Sequence, residues 1–141
     1  MNLDKEFQIH IRTYTEMADT YHINAIQMAG KREYRKATEL LWGAITQRIK
    51  AVAALHNHTI ENHGRFFDFV RQLAKEREDE ELYTDFLDLN ALHRNFYDQI
   101  IPDKDFDVYL KRAIVFEKKM QQMLEDEIKK KESNVAPAPD K

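Results

Sequence analysis

The sequence predicts an all-α fold, an antiparallel bundle of about five helices, on three observations. Only three glycines and three prolines occur in 141 residues, and two of those prolines lie in the last five, so the body holds few helix breakers. Apolar side chains recur at alternating steps of three and four over long stretches. Nowhere is the apolar–polar alternation of a half-buried strand sustained.

The length is that of one ordinary domain, with enough chain to bury a sizeable core. We expect residues 1–131 to form it and residues 132–141, which carry little apolar mass, to be a disordered tail. With 43% hydrophobic and 33% charged residues and a formal net charge of -3, the composition is that of a soluble globular protein and not a polybasic nucleic-acid coat. Any contact with nucleic acid must then come from a local patch. The absence of cysteine excludes disulfides, thiolate metal sites and thiol catalysis. No apolar signal core follows Met1, and no window approaches the roughly 20 apolar residues of a membrane span. A cytoplasmic protein with no membrane association is the expectation.

The first helix is predicted from about Asp4 to Ala29, because Phe7, Ile11, Tyr14, Ala18, Tyr21, Ala25 and Met28 form one stripe, with Gly30 as a left-handed cap. The second, Glu33 to Asn57, carries Ala37, Leu40, Leu41, Ala44, Ile45, Ile49, Val52 and Ala53 inward; the breadth of this face suggests a central position. A polar break at His56–Thr59 leads to a third helix near Asn62 to Lys75, with Asn62 or Thr59 as its cap and Phe66, Phe67, Phe69, Val70 and Leu73 on it. The charge run from Lys75 to Glu81 reads as a solvated connection or frayed turn. A fourth helix then extends to about Ile101, with Leu82, Phe86, Leu89, Phe96 and Ile100 inward and Pro102 stopping it. Asp103 or Asp105 caps the fifth, which runs to about Lys131 through Phe106, Leu110, Ala113, Ile114, Met120, Met123, Leu124 and Ile128. Its closing Lys129–Lys131 run complements the negative helix end.

Chemistry-bearing residues are few. His93, Arg94, Asn95 and Tyr97 share the fourth helix, with Tyr97 one turn beyond His93, so they read either as a polar rim for phosphate, ribose or base, or as packing residues with Arg94 paired to Asp98 or to a carboxylate of another helix. His56, His58 and His63 are weaker candidates for a metal, since their spacing matches no strong metal signature. Arg32, Arg35, Arg48, Lys50, Arg65 and Arg71 are interleaved with acids and form no evident stripe. Trp42, Phe66 and Phe67 at helical spacing read as core or interface aromatics before stacking platforms. No phosphate loop, nucleophile elbow or zinc-protease helix occurs, and no cofactor is expected.

Two segments carry a family resemblance: Lys36-Ala-Thr-Glu-Leu-Leu-Trp-Gly-Ala44, and Leu92-His-Arg-Asn-Phe-Tyr-Asp98. In that order and spacing they resemble the PaREP-type archaeal proteins, a HEPN-like group (higher eukaryotes and prokaryotes nucleotide-binding). The resemblance implies a HEPN-like bundle, commonly homodimeric, in a superfamily of ribonucleases, toxins and partners of nucleotidyltransferases. It also places His63 where many such proteins carry a histidine entering the third helix. Active members need a histidine one to two turns after the arginine, and here Gln99, Ile100 and Ile101 stand there, none of them a proton acceptor at neutral pH. The expected function is therefore nucleotide or RNA binding through His93, Arg94, Asn95, Tyr97 and His63 without an intact nuclease centre. The alternatives are a residual metal-independent ribonuclease with His93 or His63 as the base, and a scaffold or toxin–antitoxin-type partner. The first helix or the Trp42 side is expected to supply part of a homodimer interface.

Overall fold

A computed structural model describes residues 5–133. It contains five α-helices: α1 (Lys5–Gly30), α2 (Tyr34–Leu55), α3 (His63–Glu76), α4 (Glu80–Asp98) and α5 (Phe106–Ser133), with one 3-10 turn, Asp103–Asp105, before α5. All five fall where the apolar spacing puts them. Glu132 and Ser133, assigned to the tail from sequence, complete α5, while residues 134–141 of that tail and the predicted start at Asp4 lie outside the described residues.

α2 is the centre of the bundle. It is enclosed on nearly every side, with Ala51 through Leu55 all buried, and packs against α1, α4, α5 and α3. Its small side chains let neighbours approach closely; a Cβ on Gly43 would stand 3.0 Å from the Tyr21 ring of α1. α1 lies along α2 and buries only Ile11, Ala18 and Ala25, a seven-residue repeat of one narrow stripe. Phe86, Leu89 and Leu92 of α4 and Phe116 and Met120 of α5 fill the space across α2, each less than 2% exposed. Burying such a side chain is worth about 1.5–3 kcal/mol.

Helix ends follow local chemistry. Asn62 caps α3 by accepting from Arg65 N–H at 3.2 Å, as its residue type suggests, and Asp79 caps α4 through Leu82 N–H at 3.3 Å. The first three helices all close with paired reverse bonds. Glu33 N–H reaches Met28 C=O and Arg32 reaches Ala29; His58 reaches Ala53 and Asn57 reaches Ala54; Asp79 reaches Ala74 and Glu78 reaches Lys75.

The left-handed residues in these closures are Arg32, Asn57 and Glu78, with φ of 62°, 54° and 53°. Gly30 is therefore not the left-handed cap expected from sequence: it is the last residue of α1 with an ordinary helical backbone, and the reversal comes two residues later. α4 also stops before its expected end at Ile101, because Gln99 turns left-handed at φ 50° after Asp98. Consequently Ile100, expected inward, is 42% exposed, and Ile101 is buried at 7% in its stead.

Candidate functional site

The N-terminal half of α2 lies against the C-terminal half of α4. On α2, Arg35, Thr38, Glu39 and Trp42 stand at i, i+3, i+4 and i+7 and so line one face. Each meets the 92–98 segment: Arg35 donates to the Phe96 carbonyl and lies 5.1 Å over its ring, Thr38 meets Asn95, and both Glu39 and Trp42 meet His93. The two sequence segments that stand out in isolation are thus the two halves of one contact.

Asn95 belongs to the packing. It is 4% exposed; its amide donates to Thr38 Oγ1 at 3.1 Å, and its Oδ1 accepts from Ile101 N–H at 2.7 Å. Those bonds tie α4 to α2 and fold the segment after Gln99 back under the helix. At 4% exposure the Asn95 amide faces the helix packing and not the surface, so its place in a binding rim is not supported.

Arg94 is its opposite. It is exposed and makes no hydrogen bond or ion pair with any described residue, neither with Asp98 nor with a carboxylate of another helix. Three residues on, Tyr97 is 66% exposed, with its ring edge-to-face against both His93 and Phe96, 5.5 and 5.2 Å between centroids. An unpaired guanidinium and an open aromatic ring thus share one side of α4 at i, i+3 spacing.

His93 stands behind them. Its Nδ1 lies 3.1 Å from both Glu39 oxygens. A carboxylate only accepts, so in the neutral ring Nδ1 holds the proton and Nε2 is left as the free acceptor. The ring stacks on Trp42 at 5.9 Å and 26°, and the ring of His63, entering α3, lies 4.9 Å from it. Trp42 is 4% exposed and also stacks on Phe86, so its ring belongs to the core. The structure therefore brings His63, His93, Arg94 and Tyr97 to one end of the α2–α4 contact. Glu39, which sequence reasoning passed over, is the carboxylate that orients His93; its place one turn before Trp42 was the available signal.

The other histidines lie elsewhere. His56 and His58 pack on the Phe69 ring, His58 parallel to it at 5.8 Å, whereas His63 turns to Trp42 and His93. Among the described residues no three His, Asp or Glu side chains gather closely enough to hold a metal ion. The basic residues are equally dispersed: Arg48 pairs with Asp19 and Glu117, Arg71 with Asp68, and Lys50 lies over Tyr14 and Phe66. Gln99 to Ile101, the positions where a nuclease histidine would fall, have left the helix altogether. No described helix is long and apolar enough to cross a membrane.

The sequence profile of the archaeal PaREP1/PaREP8 family matches residues 13–131. No curated protein matches the chain.

Proposed function

The chain belongs to the archaeal PaREP1/PaREP8 family, and on that premise we propose that it is a HEPN-like protein that binds a nucleotide or single-stranded RNA at the α4 surface. Arg94 takes a phosphate and Tyr97 takes a base. The observation that carries this reading is the free state of Arg94 beside the 66% exposed Tyr97, while neighbouring Asn95 is buried and bonded to Thr38 and Ile101. A guanidinium offers a planar fork to phosphate, and every base has a face to stack on an aromatic ring. Both elements are indifferent to sequence, which suits a local site on a weakly acidic protein.

The test is fluorescence anisotropy with a labelled single-stranded RNA oligonucleotide, with ATP as competitor. Arg94→Ala and Tyr97→Ala should each weaken binding about tenfold or more, from the roughly 1–3 kcal/mol of a charge-assisted hydrogen bond or a base stack. Affinity unchanged in both variants would refute the site.

The His63–His93 pair favours a second reading, metal-independent RNA cleavage. One imidazole would take the ribose 2′-OH proton as the oxygen attacks phosphorus, and the other would protonate the departing 5′-oxygen, leaving a cyclic phosphate. Cleavage in the presence of EDTA, lost in both His93→Gln and His63→Gln, would establish it. Binding without cleavage keeps the first reading.

We also propose that the protein is a homodimer through the outer side of α1, where Ile9, Ile23 and Ile26 are 58%, 56% and 47% exposed. Sedimentation as a monomer at micromolar concentration would exclude that.

A further inference from the structure

We infer that His93 is the group by which the α4 surface tells RNA from DNA: its Nε2 accepts the 2′-OH of the bound nucleotide, a role that rests on the binding site proposed for Arg94 and Tyr97. The atom is fixed as an acceptor from behind. Both Glu39 oxygens stand 3.1 Å from Nδ1 and can only accept, so Nδ1 keeps the proton of the neutral ring and Nε2 keeps a lone pair. Trp42 stacks on the ring at 5.9 Å and 26°, and no described residue donates to Nε2. The side chain is 29% exposed, so part of it is open to a ligand.

Place decides which ligand group meets it. A nucleotide's sugar joins its base to its phosphate, so a base on Tyr97 and a phosphate on Arg94 leave the ribose between those two residues. His93 stands there: it precedes Arg94 in the helix, and its ring meets the Tyr97 ring edge-to-face at 5.5 Å between centroids. Within a phosphodiester chain the 3′ and 5′ oxygens are esterified, and the 2′-OH is the donor that remains on the sugar. Asn90 shares this face with His93, Arg94 and Tyr97 at i, i+3, i+4 and i+7, and its Oδ1 is buried without a partner. The uncharged part of the face is thus short of donors, which a ribose supplies and a deoxyribose does not. The His93 contact needs no proton beyond the one directed at Glu39.

Anisotropy titrations with the full chain compare three single-stranded oligoadenylates, RNA, DNA and 2′-O-methyl RNA, at pH 8, above the ordinary imidazole range. RNA should bind about five- to tenfold tighter than either of the others, the worth of one hydrogen bond. His93→Phe keeps an aromatic ring against Trp42 and offers no acceptor. It should erase the preference, taking RNA to about the level of DNA, whereas a merely structural loss would weaken both and keep their ratio. Imidazole 15N NMR should find the wild-type His93 proton on Nδ1, and Glu39→Ala should release it to Nε2 and shrink the RNA preference. RNA and DNA that bind equally, both weakened by Arg94→Ala, leave the α4 site standing and overturn the role of His93. A preference that survives His93→Phe, or 2′-O-methyl RNA that binds as tightly as RNA, overturns it too. Failure of all three oligonucleotides to bind overturns the site and this role together.

Discussion

Replacing Asn95 by Ala tests whether this residue belongs to the fold or to the ligand. The substitution removes two hydrogen bonds of unequal cost. Thr38 Oγ1 loses a bond that it accepts from the Asn95 amide, but its hydroxyl still donates to the Arg35 carbonyl at 2.9 Å, so that oxygen keeps a partner. Ile101 N–H loses its acceptor at 2.7 Å inside a residue only 7% exposed. An unsatisfied buried donor costs about 1–3 kcal/mol, and the void and the weakened Thr38 contact add about 1 more, which gives a loss of roughly 2–4 kcal/mol. At a typical urea slope of about 2 kcal/mol/M, the unfolding midpoint falls by about 1–2 M.

The single tryptophan, Trp42, is buried against Phe86 and His93, and its fluorescence reports the α2–α4 contact, with circular dichroism following the helices. Asn95→Asp should not rescue at neutral pH. One oxygen still serves Ile101, but the other can give nothing to Thr38 and brings a buried charge. Arg94→Ala, by contrast, should stay within about 0.5 kcal/mol of the wild type. An Asn95→Ala variant that keeps its stability and loses RNA binding would refute the packing argument and return Asn95 to the site.

Gly30→Ala should stabilise by about 0.5–1 kcal/mol, or raise Tm by about 2–3 °C, because Gly30 is helical and an added Cβ meets nothing within 4 Å; a loss of stability would mean that Gly30 does need a left-handed backbone. Gly43→Ala should cost about 1–3 kcal/mol in chemical denaturation, since its Cβ would press on the Tyr21 ring at 3.0 Å, and a neutral result would show that α1 can shift freely on α2. Burial raises the Glu117 carboxyl above its ordinary range, outweighing the opposing pull of His22 and Arg48. A raised folded-state value means that the group contributes most when protonated, below the unfolded range near pH 4.5, and that the contribution is lost as pH climbs through the raised value. The stability of the wild type relative to Glu117→Gln should therefore decline from about pH 4 towards neutrality, and a difference that grows with pH would contradict this order of effects.

The helices were legible because their signals are local. Three-and-four spacing, the Asn62 cap and the dearth of breakers act within one or two turns, so the sequence alone placed all five elements and identified α2 as central. The same local signals also drew attention to the 36–44 and 92–98 segments. Helix ends were less legible, since the reversals at Arg32 and Glu78 use residues with no preference for a left-handed backbone; the reverse bonds and the packing beyond them impose it.

What no local rule could reach was the division of labour among neighbours on α4. Arg94 and Asn95 are adjacent in the chain, yet helical rotation of about 100° per residue sends one outward and the other under Thr38 and Ile101. The joining of His93 to Glu39 across 54 positions, and of Arg48 to Glu117 across 69, likewise exists only once the helices are packed. Sequence determined the helices and their buried faces, because hydrophobic burial follows periodicity. The tertiary structure alone decided which polar groups are spent on one another and which, like Arg94, remain free, because hydrogen-bond partners are set by distances between helices that periodicity does not encode.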